Sequence, residues 1–297
     1  MTKWSGKSKG TVLGYKIFIF FIKNVNVQAA YFILYFVALY YFLFSFKSNK
    51  AIYYYFSKRR QYPFLKSIIA IYKSYFIFGQ TLIDKTAISA GLRNNFTYEF
   101  DGIDKLKKLL DDGNGGILIS AHVGNFEIAE FFLNEIDENS QINIVTTDSE
   151  HKAIKNYLET VTSKSEIKFI LIKDDLSHIY HINSALNNNE LVCFTGDRYF
   201  EGTKYLEIDF LNKPAKFPAG PFLLASRLQT PVAFVYVMKE TLKHYHLYTR
   251  MSPAKHRDEK GLLRSYVESV EEMLNKYPYQ WFNYYDFWED KTQKLNL

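Results

Sequence analysis

The sequence predicts an α/β fold, a mixed and mostly parallel sheet flanked by helices, behind an N-terminal membrane-associated helical segment. Three observations carry this expectation. From residue 96 onward, short apolar runs alternate with amphipathic ones, the pattern of strands joined by helices. Residues 29–46, AAYFILYFVALYYFLFSF, hold no charge over eighteen positions. Residues 1–83 carry 12 Lys or Arg and no Asp or Glu, while the remainder carries 25 basic and 31 acidic residues. The net charge of +6 is therefore +12 in front and −6 behind. A division near residue 90 follows. Residues 1–90 form an aromatic, basic, membrane-associated region, and residues 91–297 form the α/β domain.

A basic stretch without acids fits a polyanionic surface, and both nucleic acid and anionic lipid qualify. The residues between the charges select lipid over nucleic acid. IFIFFI at 17–22 and the run at 29–46 are strongly apolar. The many Tyr in that run suit the headgroup boundary, where a ring with a polar tip is at home. Each nearby Lys or Arg adds about 1 kcal/mol on anionic lipid. Eighteen residues sit at the short end of the roughly 17–25 that a helical span needs. Three placements stay open: a single span or shallow hairpin, an interfacial helix, and a buried core helix. Lys16 and Lys23 precede the run and Lys47 and Lys50 follow it, so charge gives no orientation. A cleaved signal peptide is not expected, because the apolar run begins late and no small-residue site follows it.

Residues 51–90 read as aromatic-rich helices parted at Pro63. TYEF (97–100) reads as a strand and IDKLKKLLDD as a helix, broken by Gly113, Gly115 and Gly116. GGILISAH is then a buried strand, and NFEIAEFFLNEI a helix with Asn125 at its N-cap. INIVTT, HKAIKNYLETV, IKFILI, SHIYHINSALNN and ELVCFTG continue the alternation. YLEIDFL, the helix FPAGPFLLASRL, the strands PVAFVYVM and YHLYTRM, and a helix near 259–276 complete it.

The single cysteine, Cys193, excludes an intramolecular disulfide and reads as a small core residue. GNGG at 113–116 lacks the Gly-Lys-Ser/Thr of a phosphate-binding loop and reads as a turn. His178 and His181 fall one helical turn apart on a solvated face. His151 begins a helix. His244 and His246 share one face of a strand, but a metal pair needs a third ligand and the neighbouring sequence offers none, so no metal is expected. Trp281, Phe282, Tyr284, Tyr285, Phe287 and Trp288 are read as core ahead of a lipid-facing lip.

The stretch SAHVGNFEIAE (120–130) carries the chemistry. His122 falls at the carboxyl end of a strand, where ligands sit in an open α/β sheet, and Glu127 falls in the first turn of the next helix. Gly124 permits a tight corner over which the two converge. A carboxylate on one imidazole nitrogen fixes the tautomer and leaves the other nitrogen as a base. With no serine beside them, the hydroxyl to be deprotonated belongs to the substrate. A plain reading competes: a strand-end His, and a Glu placed for the helix dipole.

HVGNFE matches the H-x4-[DE] signature of glycerolipid acyltransferases, and its Gly-Asn-Phe-Glu form resembles the late lipid A acyltransferases. GDRYFEGTKYLEIDFLNKPAKFPAGPFLLASRLQTPV resembles that family's second block, at Asp197, Arg198, Phe210, Pro218, Gly220, Pro221, Pro231 and Val232. YPYQWFNYYDFW resembles its Pro-x-Gln-Trp-Phe ending at Pro278, Gln280, Trp281 and Phe282. The likeness runs over roughly residues 10–288. It implies a fatty acyl transfer from a thioester, acyl carrier protein or alternatively acyl-CoA, to a hydroxyl of a lipid A precursor. The setting it implies is the cytoplasmic face of the bacterial inner membrane, with no cofactor. His122 would be the base and Glu127 its orienting partner. Asn125, Asp197, Arg198, Lys204 and Gly220 would shape the substrate site, with Asn125 reading more readily as a helix cap. Arg198 suits a phosphate or carboxylate, or else an ion pair with Asp197 or Glu201. Backbone N–H groups near 123–125 are the expected oxyanion donors. Tyr199 stands where many relatives have a second acid. FEGTK (200–204) echoes the Glu-Gly-Thr-Arg block of lysophosphatidate acyltransferases, with Lys204 in the Arg place. Both departures leave the acceptor open between lipid A precursor, lysophospholipid, amino-acid lipid and glycolipid. A membrane-anchored lipid-binding protein without chemistry is the rival from another class.

Overall fold

The computed structural model describes residue 20 and residues 26–129, 141–146, 168–173, 175–199, 201–228, 230–253 and 255–288. The side chain of Glu127, the remainder of the helix expected after it, the helix expected at 151–161 with His151, and most of IFIFFI lie outside the described residues.

Among the described residues, three helices lead into the sheet. α1 (Val27–Phe44) starts at Asn26, whose side chain accepts from Ala29 N at 2.7 Å and satisfies one orphan amide of the first turn. α2 (Phe46–Tyr54) runs into a wider turn at 55–59. α3 (Phe64–Ala87) begins directly after Pro63, which cannot donate and is tolerated where no donor is needed. α1 is apolar all round but buries one stripe, Val27, Ala30, Tyr31, Leu34 and Ala38, at helical spacing. That stripe lies on α3, and Gly79 makes the close approach possible. A Cβ there would sit 2.2 Å from a methyl of Leu34. The opposite face, including Phe32, Phe36, Tyr40 and Phe44, is exposed.

The α/β part contains β1 (Thr97–Asp101), α4 (Ile103–Asp111), β2 (Gly116–Ser120), β3 (Ile142–Thr146), β4 (Lys168–Leu171), α5 (Ser177–Asn187) and β5 (Leu191–Thr195). It continues with β6 (Tyr205–Phe210), β7 (Lys213–Pro218), α6 (Ala219–Arg227), β8 (Val232–Lys239), β9 (His244–Met251) and α7 (Glu259–Lys276). Seven strands form one sheet in the order β1-β9-β8-β2-β5-β3-β4. Every neighbouring pair is parallel except β8 with β9, so the mostly parallel mixed sheet expected from the sequence is present. β6 and β7 form a separate hairpin. Its two-residue turn, Leu211 and Asn212, has both φ positive, at 50° and 61°, the hand that matches strand twist.

β2 lies near the middle and is buried at every position, as a strand covered on both faces must be. Ile117, Ile119, Ala121 and Val123 enter one core with α7 and the closing aromatics, and Leu118 enters the other with α1 and α4. Trp281, Phe282, Phe287 and Trp288 are buried, as core residues. Cys193 is buried on β5.

Asp84, the first acid in the chain, is fully buried on α3. Lys239 at the end of β8 donates to it at 2.5 Å, and the hydroxyls of Tyr31 and Tyr245 donate to its two oxygens. A buried charge is tolerable only when so paired. One ion pair thus joins α1, α3, β8 and β9.

Candidate active site

β2 and β5 are adjacent and parallel, with Ser120 registered against Thr195. His122 and Asp197 each lie two residues beyond that pair, at the same level past the carboxyl ends of two neighbouring strands. The chain leaves β2 toward β3 on one side and leaves β5 for β8 on the other. Such a parting of connections is where open α/β sheets make their crevices.

There the two side chains meet. His122 Nδ1 lies 2.8 Å from Asp197 Oδ1, and the His122 backbone N–H donates to Asp197 Oδ2 at 3.0 Å. The imidazole is 30% exposed and the carboxylate 3%. Asn283 Nδ2 donates to the same Oδ2 at 2.7 Å, and Asn283 Oδ1 accepts from Arg198 Nε at 2.8 Å. Arg198 also donates to the carbonyl of Phe282 at 3.1 Å.

Burial pushes the Asp197 carboxyl toward its neutral form, but the opposing causes win. The charge and hydrogen bond of His122, the charge of Arg198 and the Asn283 amide hold it well below the usual carboxylate range. Asp197 is therefore a carboxylate that can only accept. It follows that His122 Nδ1 carries the shared proton, so that in the neutral form of the ring the lone pair belongs to Nε2. A ring so held can take up a proton at Nε2.

Backbone geometry fixes the corner. Gly124 has φ +67°, and a Cβ there would sit 2.2 Å from the carbonyl oxygen of Val237. The closing segment pairs with this corner like a strand. Phe282 N donates to His122 O and Gly124 N donates to Gln280 O, both at 2.9 Å. The Gln280 side chain in turn bonds both backbone groups of Lys239.

These bonds narrow one expectation and correct another. The N–H groups of Gly124 and Asn125 are committed to Gln280 O and to Val237 O (2.7 Å), so neither serves an oxyanion. Asn125 does not cap a helix. The chain after it makes a 3-10 turn at Phe126–Ile128, and its Nδ2 donates instead to Thr81 O on α3 at 3.0 Å. A tertiary bond has taken the side chain away from the local one.

Other expected site residues fall as follows. Arg198 bonds Asn283 and Phe282 O and lends its charge to Asp197. Lys204 is exposed, and its carbonyl accepts from Ala219 N at 3.0 Å, beside Gly220 at the start of α6. No described contact joins Lys204 or Gly220 to His122. Asn283 is the member of the site that the sequence reading did not select. Its signal was present, one residue past the Gln-Trp-Phe ending.

The sequence model of the family described as bacterial lipid A biosynthesis acyltransferase matches residues 74–289. That range takes in His122, Asp197, Arg198 and Asn283. A search of curated proteins finds no match.

Proposed function

The chain belongs to the bacterial lipid A biosynthesis acyltransferase family and is an acyltransferase acting on lipid, and from that premise we propose a base mechanism centred on His122. His122 Nε2 takes the proton of the acceptor hydroxyl. The resulting alkoxide oxygen bonds the carbonyl carbon of an acyl thioester. The tetrahedral adduct collapses, the carbon–sulfur bond breaks, and the imidazolium returns its proton to the leaving thiolate. Asp197 holds the ring in the needed tautomer and stabilises the imidazolium formed in between. The observation that carries this reading is the 2.8 Å contact of a buried carboxylate with Nδ1 of a partly exposed imidazole.

In this proposal Glu127 is a second carboxylate of the site. Arg198, Lys204 and Gly220 lie along the substrate path, and Asn125 holds the corner against α3. The donor is acyl carrier protein or acyl-CoA, and the acceptor is a lipid A precursor or a related amphiphile. The protein works at the cytoplasmic face of the inner membrane. Residues 1–90 provide the membrane-associated region, resting on the exposed face of α1. That helix is long and apolar enough to cross a bilayer, by length and composition.

The test is acyl transfer from labelled acyl carrier protein, then from acyl-CoA, into a total lipid extract, read by mass spectrometry. Wild type should form an acylated lipid that His122→Ala does not form, while both bind lipid alike. Product formation unchanged in the variant would remove His122 from the mechanism. Lipid binding with no transfer from either donor would favour a binding protein.

A further inference from the structure

Four potential metal ligands gather on the sheet face opposite Asp84, at the β1 edge. They come from three places in the sequence. Glu99 lies on β1, His244 and His246 on β9, and Glu240 just past β8. The backbone register brings them together. β1 and β9 run parallel with Glu99 opposite His246, and Glu240 N donates to His244 O across the β8–β9 turn at 3.0 Å. Alternation along β9 sends Tyr245 to the other face, where it bonds Asp84.

The donor atoms converge. His246 Nδ1 lies 2.7 Å from Glu99 Oε1 and 3.3 Å from Glu240 Oε1, and His244 Nε2 lies 4.0 Å from Glu99 Oε1. One ligand atom each from Glu99, Glu240 and His244 falls within 4.8 Å of the others. Four ligands at about 2.0–2.2 Å from a tetrahedral ion stand roughly 3.4 Å apart, so small side-chain rotations suffice.

Two further features single this cluster out. Both ring nitrogens of His246 are shut off from water, and the polar contacts of Nδ1 are to the Glu99 and Glu240 carboxylates. Outer partners also orient the ligands. Thr97 Oγ1 contacts His244 Nδ1 at 2.8 Å, which turns Nε2 toward the cluster, and the Tyr277 hydroxyl donates to Glu240 Oε1. Metal-bound imidazoles and carboxylates are held in this way.

We infer that Glu99, Glu240, His244 and His246 bind one divalent transition-metal ion, with Zn2+ the best match to two imidazoles and two carboxylates. Four protein ligands close the coordination shell, which marks a structural ion. It ties β1, β9 and the β8–β9 turn to the carboxyl end of α7 through Tyr277. From that point the chain runs on to Gln280 and Asn283.

The experiment uses the untagged full chain in detergent, stripped with chelator and dialysed against Zn2+, with bound metal measured by mass spectrometry and affinity by calorimetry. Wild type should take up one Zn2+ per chain and gain thermal stability from it. Loss of an outer partner alone costs about 10–100-fold in metal affinity, so Thr97→Ala should weaken binding by that much, and Glu99→Gln or His244→Ala by more. His178→Ala should change nothing. Glu99 is more than half exposed, so Glu99→Gln reads ligation without unfolding the sheet. Failure to take up stoichiometric Zn2+, or uptake indifferent to Glu99→Gln and His244→Ala, overturns the inference.

Discussion

Replacing Asp197 with Asn keeps the shape of the site and changes one atom. The structure determines which way the new amide turns. Oδ2 accepts from two donors, the His122 backbone N–H at 3.0 Å and Asn283 Nδ2 at 2.7 Å. An amide NH2 at that position would face both donors, so the amide oxygen must take it. The NH2 then faces His122 Nδ1, which has to become an acceptor. The ring proton moves to Nε2 and the base is lost from the side that meets substrate. Enforcing the wrong tautomer by this substitution costs about 10⁴ in kcat in a serine-protease triad, or about 5.4 kcal/mol of transition-state stabilisation. The same order is expected here, with KM little changed because Asp197 lies behind the imidazole. Steady-state acyl transfer with purified Asp197→Asn, beside a check of its melting temperature, measures it. A loss smaller than about tenfold, or one confined to KM, would refute the reasoning. Glu127→Gln in the same assay separates the two carboxylates. An acid titration adds a second reading. The folded pKa of Asp197 lies below its unfolded value of about 3.9, so the unfolded chain binds the extra proton first. The stability Asp197 supplies is complete above that value and is lost as pH falls below it. Asp197→Asn should therefore flatten the acid limb of the stability curve below about pH 4.

Three other outcomes are expected. Lys239→Met strands the buried Asp84 charge and should lower unfolding free energy by about 3–5 kcal/mol, while Asp84→Leu with Lys239→Met should regain most of it; denaturant unfolding of both decides. Gly124→Ala must adopt a positive φ against Val237 O, and should cost at least about 1–2 kcal/mol of stability together with most of the acyl transfer. Phe36→Ser with Phe44→Ser strips two exposed rings from α1. At about 1.5–3 kcal/mol per ring, liposome binding should fall by roughly 100-fold or more, and unchanged cosedimentation would remove α1 from the membrane contact.

The sheet was legible because its strands are short, apolar and punctuated. GILIS and LVCFT announce buried strands by composition alone, and the Pro63 break and the Gly113–Gly116 turn mark element ends. What local pattern does not carry is adjacency. That β5 lies beside β2 is a matter of strand order, and it alone puts Asp197 on His122 Nδ1. The sequence reading gave an orienting role to Glu127, five residues on, whose side chain lies outside the described residues; Asp197, seventy-five residues on, is beyond the reach of local spacing. Asn125 shows the same limit. Its type and position ask for a cap, but Thr81 on a distant helix offers a carbonyl and the local bond is forgone. Two of the amides expected for an oxyanion are taken for a related reason, Gly124 N–H by Gln280 O and Asn125 N–H by Val237 O. Glu99 stands 145 positions upstream of His244 and is brought alongside His246 only by parallel pairing, whereas Glu240, close in sequence to His244, was in view and not weighed.

The Asp84–Lys239 pair has a consequence for selectivity. It fastens α3, and through the Tyr31 hydroxyl α1, to β8, and β8 is the direct neighbour of the strand that leads to His122. With α1 seated in a bilayer, the imidazole stands at one height above the lipid plane and cannot ride up or down on a loose tether. On the proposed mechanism and membrane seating, acceptors would be sorted by elevation as well as by shape. A hydroxyl carried at the matching height meets the base, and one a few ångströms higher or lower must lift or sink its own lipid to react.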